Sequence, residues 1–401
     1  MISQPASSHQ VWQFLKNVNV HKCKRFRLPK GRKMTFAVSF LFGGISTEYD
    51  SSISSLTHII SSYLTLSRAE RPFSVKHMYH LSRVDGLVRT IPFHNAFTIA
   101  ELQAHVSDII ILPGRSLPIT FNTIESHNEY IVNLLHGQFG EDGGVQTLAA
   151  LSGLKGTFGD PDVASLTMNK FAMSSFVSSL LPSDVMKVPK TRLVRPQGVD
   201  DAIRFAKSVD GSVVVKPNSL GASLFATRFH DPVASEIDIR NLLREIFKYD
   251  NTALLQEFIP GDEYSCGCLI SSSDVVLLPV AKIETAQNFF GHEEKHSSGL
   301  VIERILDYEN DQLLGRLTSI TRRIASSIDL YNMARFDFRI SNDREIWFLE
   351  CNYIPGLMKN SIFPKMLRHH GMTVIELISW IASHSRQYER KKHFIEYEIS
   401  E

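Results

Sequence analysis

The chain has 401 residues, 43% hydrophobic and 21% charged, the make-up of a soluble globular protein with room for two or three domains. A formal net charge of +1 excludes a global field that would draw it to nucleic acid or membrane, and no apolar run nears the roughly 18 residues of a membrane span. Small molecules are therefore the expected partners. Of the four cysteines only Cys266 and Cys268 are close in sequence. A lone Cys-x-Cys in the apolar run EYSCGCLI lacks a second pair for zinc and reads as buried thiols on a strand, which implies a reducing, cytoplasmic setting.

Residues 1–34 contain no acidic side chain, and HKCKRFRLPKGRK holds seven Lys or Arg. No apolar core follows the charge, so a secretory signal is not expected. The segment reads as a disordered basic arm or an extended start, with an organellar transit peptide as the alternative. The body opens with MTFAVSFLFGG, a buried strand running into a paired-glycine turn, and helical periodicity over about 52–66 follows. DIIILPG and YIVNLLHG are two further apolar strands ending at glycine. The alternation predicts an open, mostly parallel α/β sheet over residues 35–161, with ligands at the carboxyl strand ends.

A second unit, 162–253, is expected to begin with a helix through MNKFAMSSFVSSL. It continues with strands TRLVR, SVVVKPN and LFATRF and a helix DDAIRFAKSV. A third, 254–385, opens with LLQEFIPGDEYSCGCLI, passes a polar stretch ETAQNFFGHEEKHSSG and a helix DQLLGRLTSITRRIASSI, and ends in a hairpin. Residues 386–401 read as a polar tail.

The hairpin carries the densest chemistry. RFDFRI and EIWFLECN have period-2 character around the turn-former run Ser341-Asn342-Asp343. Parity puts Arg335 and Asp337 on one face of the first strand, and Glu350 and Asn352 on one face of the second. Two carboxylates and an amide suit a hard cation such as Mg2+, and a guanidinium beside it can stabilise developing negative charge. The alternative for this stretch alone is a surface hairpin with a salt bridge. Lys216, at the end of a β-branched strand before a Gly- and Ser-bearing loop, can clasp phosphates, although no Walker motif is present.

The most specific run is LLHGQFGEDGGVQTLAALSGLKGTFGDPDVASLTMNKFAMSSF. With it, the chain resembles the D-alanine–D-alanine ligase family of ATP-grasp enzymes from about Phe36 to Leu367. The resemblance implies an ATP-grasp fold and an ATP-dependent carboxylate–amine ligase that passes through an acyl phosphate. It implies that Lys170 and Lys216 hold the ATP phosphates, that Gln256, Glu257, Phe258 and Ile259 read adenine, and that Glu263 binds ribose. Asp337, Glu350 and Asn352 match the ligands of two Mg2+ ions, with Mn2+ as a substitute. Arg335 and the Gly356 N–H match the oxyanion site. Glu48 matches the carboxylate for the first substrate's ammonium, Ser361 the hydroxyl for the second substrate's carboxylate, and Lys295 a phosphate-covering lysine. His136 and Lys359 are further substrate-side candidates, each with a purely structural alternative: a packed strand-end histidine and a solvated lysine. A homodimer is the expected assembly.

Three departures from the family pattern lie near the substrates. Ala222 stands where the first of two loop serines is usual, leaving only Ser223, and His296 stands where dipeptide-forming members have tyrosine. The turn before Ser361 reads Leu357-Met358-Lys359-Asn360. An imidazolium at His296 would repel a protonated amino acid and favour a hydroxy acid, as in ester-forming relatives; alternatively it replaces only the tyrosine's packing. The sequence thus leaves open a D-Ala–D-Ala ligase, a D-alanine–D-hydroxy acid ligase, an amino acid ligase of specialised metabolism, and a non-catalytic ATP-binding protein.

Overall fold

A computed structural model describes residues 36–107, 112–285, 289 and 301–389. The basic segment 1–34, most of the DIIILPG strand, Lys295 and His296 lie outside the described residues, as does the tail beyond 389.

Strand β1 (Ala37–Gly43) is almost wholly buried, the pattern of a central parallel strand covered on both faces. Around it stand β2 (Ser74–Leu81), β3 (Val88–Pro92), β4 (Tyr130–Asn133) and β5 (Lys155–Gly156), in the order β3-β2-β1-β4-β5. Only β3 is antiparallel to its neighbour. The order reverses at β1, so the crevice beyond the carboxyl ends of β1 and β4 is the natural ligand position. Helix α1 (Tyr49–Thr65) buries Leu56, Ile59, Ile60 and Tyr63 at helical spacing against Val38 and Phe40. Leu41, on the other face of β1, joins Tyr79, Phe121 and Ile124 in a second core. Each such fully buried side chain contributes about 1.5–3 kcal/mol. The shorter helices α2 (Ile99–Val106), α3 (Leu117–His127) and α4 (Gly144–Leu151) complete this unit.

The expected single helix after Asp162 is two: α5 (Pro161–Met168) and α6 (Lys170–Leu180). Asn169 breaks them in an extended conformation, and its side chain caps α6 by accepting from the Ala172 N–H. The break sets Lys170 at the first position of α6.

The second sheet runs β6-β9-β7-β8 and is antiparallel: β6 (Thr191–Val194), β7 (Val213–Pro217), β8 (Thr227–Phe229) and β9 (Ala253–Glu257). Helices α7 (Val199–Ser208) and α8 (Glu236–Ile246) bury Ala202, Ile203, Ile239 and Leu243 against Val213 and Val215. Strand β8 is shorter than LFATRF suggests. Ala222, Ser223 and Phe225 all hold positive φ, so the chain turns sharply before it can extend.

The third sheet is also antiparallel. It contains β10 (Asp262–Ile270), β11 (Val275–Leu277), β12 (Val280–Thr285), β13 (Val301–Leu306), β14 (Met333–Ile340) and β15 (Ile346–Asn352). The path is β13-β12-β10-β14-β15, with β11 pairing β10. Helices α9 (Gln312–Ser327), α10 (Ile362–His370) and α11 (Val374–His384) pack on it, and its core is continuous with that of α1 and β1. Cys266 and Cys268 are buried free thiols on β10, as expected. Among the described residues, no helix is long and apolar enough to cross a membrane.

Candidate active site

Across the β14–β15 ladder, Arg335 pairs with Asn352 and Asp337 with Glu350. The parity read from the sequence is therefore the parity of the sheet. The next pair is Phe338 with Phe348, which leaves Leu349 as an extra residue. That bulge lets Phe338 and Phe348 meet in the core while Asp337 and Glu350 meet on the open face. On the far side of β14, Ser265 of β10 stands opposite Asp337.

Asp337 is held from three directions. Arg335 donates from Nε to Oδ1 at 2.9 Å and from Nη2 to Oδ2 at 2.8 Å, a bidentate pairing. Ser265 Oγ donates at 2.5 Å and the Asn352 amide at 2.9 Å. Burial alone would lower the Arg335 pKa, but the charges and hydrogen bonds of Asp337, with Glu350 and Glu263, hold it above its ordinary value. Lys170 Nζ lies 3.6 Å from Glu350 and donates to the Leu220 carbonyl at 2.7 Å. At the end of β7, burial pushes the Lys216 ammonium below its usual pKa, with Glu350 opposing the shift. Asp337, Glu350 and Asn352 form an all-oxygen donor set on one open face, the chemistry of a Mg2+ site.

Two clefts flank this face. The first, about 890 Å3, lies between the second and third sheets. It gathers Lys170, Lys216 and Ser223 with Gln256, Glu257, Phe258, Ile259 and Glu263, and reaches Arg335, Asp337 and Glu350. The Gln256 side chain donates to Thr191 Oγ1 at 2.8 Å, and the Glu257 carboxylate accepts the Lys190 N–H at 2.7 Å. Arg228 and Arg339 both stack on the Phe258 ring, at 3.6 and 4.7 Å from its centroid. Arg339 is also 3.8 Å from Glu263.

The second cleft, about 1460 Å3, lies beyond the carboxyl ends of β1 and β4. It is lined by Glu48, His136, Glu141, Ala222, Gly356 and Ser361, together with Arg335, Glu350 and Asn352. Lys170, Gly221, Arg335, Glu350 and Ile362 line both clefts, so the two meet at the charged face. Glu48 occupies the N-cap position of α1 without a side-chain cap bond. Its carboxylate is packed so closely that a Cβ on Gly221 would fall 2.3 Å from Oε2. Ser361 begins α10, likewise without a side-chain cap bond. His136 is buried, and desolvation holds its pKa down at about 4. Lys359 is different: it is exposed and lines neither cleft.

Several residues here escape sequence reasoning. Glu141 is buried in the second cleft and accepts the N–H groups of Gly137 and Ile354, both at 2.8 Å. Burial, reinforced by the charge of Glu48, pushes its pKa up to about 8. Asn218 ties the Lys216 loop to α6: its carbonyl accepts the Lys170 N–H and its side chain the Phe171 N–H. The GEDG and KPN runs name these residues, but not the long-range partners that give them their roles. Arg228 and Arg339 carry no local signal.

The chain resembles known proteins throughout these elements. A family profile described as D-ala D-ala ligase C-terminus matches residues 197–383. The D-alanine–D-alanine ligase of Aquifex aeolicus (strain VF5) is 27% identical over 286 residues, 71% of this chain and 91% of that protein. That of Azobacteroides pseudotrichonymphae genomovar. CFP2 is 26% identical over 251 residues, 62% of this chain and 74% of that protein. Among solved structures, the VanG D-Ala:D-Ser ligase from Enterococcus faecalis superposes with a TM-score of 0.65 at 20% identity, covering 87% of this chain and 99% of that one. The D-alanine–D-alanine ligase from Bacillus anthracis complexed with ATP gives 0.60 at 17% identity, covering 87% and 97%. The fold is that of the ATP-grasp ligases.

Proposed function

We propose that the chain is a member of the D-alanine–D-alanine ligase family, to which it is similar, and that it joins two small amino acids at the expense of ATP, through an acyl phosphate. The observation that carries the reading is that Lys170, Arg335 and Glu350 line both clefts, so a phosphoryl group in the first and a carboxylate in the second meet at one charged face.

In this reading ATP occupies the first cleft. Gln256 to Ile259 form the wall for the base, Glu263 meets the ribose, and Lys170 and Lys216 draw the phosphates to the sheet. Asp337, Glu350 and Asn352 would hold Mg2+, whose part is to neutralise charge on the phosphates. The first substrate places its ammonium against Glu48 and its carboxylate toward Arg335. That carboxylate attacks the γ-phosphorus and ADP departs, which turns a poor acyl donor into a good one. The amine of the second substrate, its own carboxylate held by Ser361, then attacks the acyl carbon. Arg335 and the Gly356 N–H receive the oxyanion, and its collapse releases phosphate. Buried His136, neutral near pH 7, forms an uncharged wall of the first subsite.

The resident substrates are D-alanine or a close analogue. Ala222, His296 and the Met358–Asn360 turn are where specificity would depart from D-Ala–D-Ala, toward another amino acid or a hydroxy acid. We place the reaction in a reducing, cytoplasmic setting, supported by the buried free thiols, and expect a homodimer. Purified protein with ATP and Mg2+, offered D- and L-amino acids and D-hydroxy acids singly and in pairs with mass spectrometry of products, tests the reading. A dipeptide or depsipeptide with stoichiometric ADP supports it; ATP binding without turnover on any pair refutes it.

A further inference from the structure

At the amino ends of β1 and β4, the end of the first sheet away from the catalytic face, a second set of ligating side chains converges. His77 comes from β2, His127 from the last turn of α3, and Glu129 from the residue before β4. One ligand atom from each lies within 4.8 Å of the other two. The Glu129 carboxylate is 2.8 Å from His77 Nδ1 and 3.5 Å from His127 Nδ1. The two imidazoles face one another, with ring centroids 6.0 Å apart and 30° between planes.

The carboxylate is not a loose surface acid. Its side chain is 5% exposed, and it accepts from Ser39 Oγ at 2.5 Å and Tyr79 Oη at 3.1 Å. Burial would raise its pKa, but the bonds from His77, Ser39 and Tyr79 outweigh this and keep it ionised. These hydroxyls orient the carboxylate from behind, as outer partners do around metal ligands. The histidines supply the opposite condition, an entry path: His77 is about one quarter exposed and His127 about one half.

We propose that His77, His127 and Glu129 bind a divalent transition metal of the Zn2+ type, with the remaining position taken by water. Two imidazoles and one carboxylate are a donor set that Zn2+ accepts and that Mg2+ and Ca2+, which prefer oxygen, do not. Ligand atoms about 2 Å from a common ion are about 3.3 Å apart at tetrahedral angles; the two carboxylate–imidazole distances, 2.8 and 3.5 Å, lie close to this, and the two imidazole ligand atoms lie within 4.8 Å of one another, near enough to close on an ion. The ion would cross-link α3, β2 and β4, and its role is to fasten the rim of the second core, not to take part in the ligation reaction.

The test uses full-length protein dialysed against chelator and titrated with Co2+, whose visible absorption is strong in a tetrahedral nitrogen-containing site and weak in an octahedral oxygen site. The wild type is expected to develop the strong band at one equivalent, and Zn2+ should displace it and raise the melting temperature. His127→Ala, a change at a half-exposed residue that leaves the buried network intact, should weaken binding by about tenfold or more and abolish the Zn2+-dependent rise. Glu350→Gln, on the catalytic face, should leave the band unchanged. Absence of a strong band in the wild type, or a band that survives His127→Ala and vanishes in Glu350→Gln, overturns the proposal.

Discussion

Asp337 and Glu350 stand directly opposite one another across the β14–β15 ladder, one step before a bulge at Leu349. Like charges in that position repel, and the sheet offsets this with Arg335 on Asp337 and Lys170 3.6 Å from Glu350. A pair arranged this way is costly to fold and suited to hold a cation. Glu350→Gln should therefore lower kcat by about a hundredfold or more, while the melting temperature stays within a few degrees of wild type. Steady-state phosphate release and thermal unfolding of the same preparation check both halves.

Arg339 stacks on Phe258 and faces Glu263, in the part of the first cleft assigned to the base and ribose. Arg339→Leu should raise KM for ATP about thirtyfold, the size of a desolvated cation–π contact of about 2 kcal/mol, and leave kcat nearly unchanged because the phosphate end is untouched. Initial rates across an ATP series separate the two constants.

Gly221 touches Glu48 so closely that any side chain collides with the carboxylate. Gly221→Ala should displace Glu48 and raise KM for the first amino acid by about tenfold or more, with little loss of stability, because the displaced carboxylate is the far end of a flexible side chain. Affinity for ATP, measured by calorimetry, should change far less.

Two buried histidines set the acid limit of stability. His80, desolvated and beside Arg89, and His136, desolvated, both titrate near pH 4 when folded, against about 6.5 when unfolded. Between those values the unfolded chain binds more protons than the folded one. Their contribution to stability is therefore complete above about pH 6.5 and is lost as pH drops toward 4, by an amount on the order of 3 kcal/mol for each histidine; Glu141, whose raised pKa makes it bind a proton more readily in the folded chain, opposes this loss. Urea unfolding at a series of pH values should show His136→Gln losing less stability than wild type between about pH 6.5 and 4, by an amount on the order of 3 kcal/mol.

Much of this architecture was legible in the sequence where the signal is local. Period-2 patterning put Arg335 with Asp337 and Glu350 with Asn352, and the buried run before Gly43 marked the central strand. What was not legible depends on partners far away in the chain. The break at Asn169 looks like helix interior until its cap bond to Ala172 is seen. The bulge at Leu349 is set by the need of Phe338 and Phe348 to meet in the core. Glu141 reads as one acid in a glycine-rich run; its role comes from the N–H of Ile354, more than two hundred residues away. The β2–β3 hairpin carries no clear local signal, because Ser74–Leu81 mixes lysine and histidine with apolar residues, which parity alone does not resolve.

The most direct test of the central claim follows an oxygen atom. The first substrate is supplied with 18O in its carboxylate, and the inorganic phosphate released with ATP, Mg2+ and the second substrate is weighed by mass spectrometry. An acyl phosphate requires the carboxylate oxygen that attacks the γ-phosphorus to leave with it, so one 18O should appear in each phosphate formed. Unlabelled phosphate accompanied by product would contradict an acyl-phosphate route across the Arg335–Glu350 face.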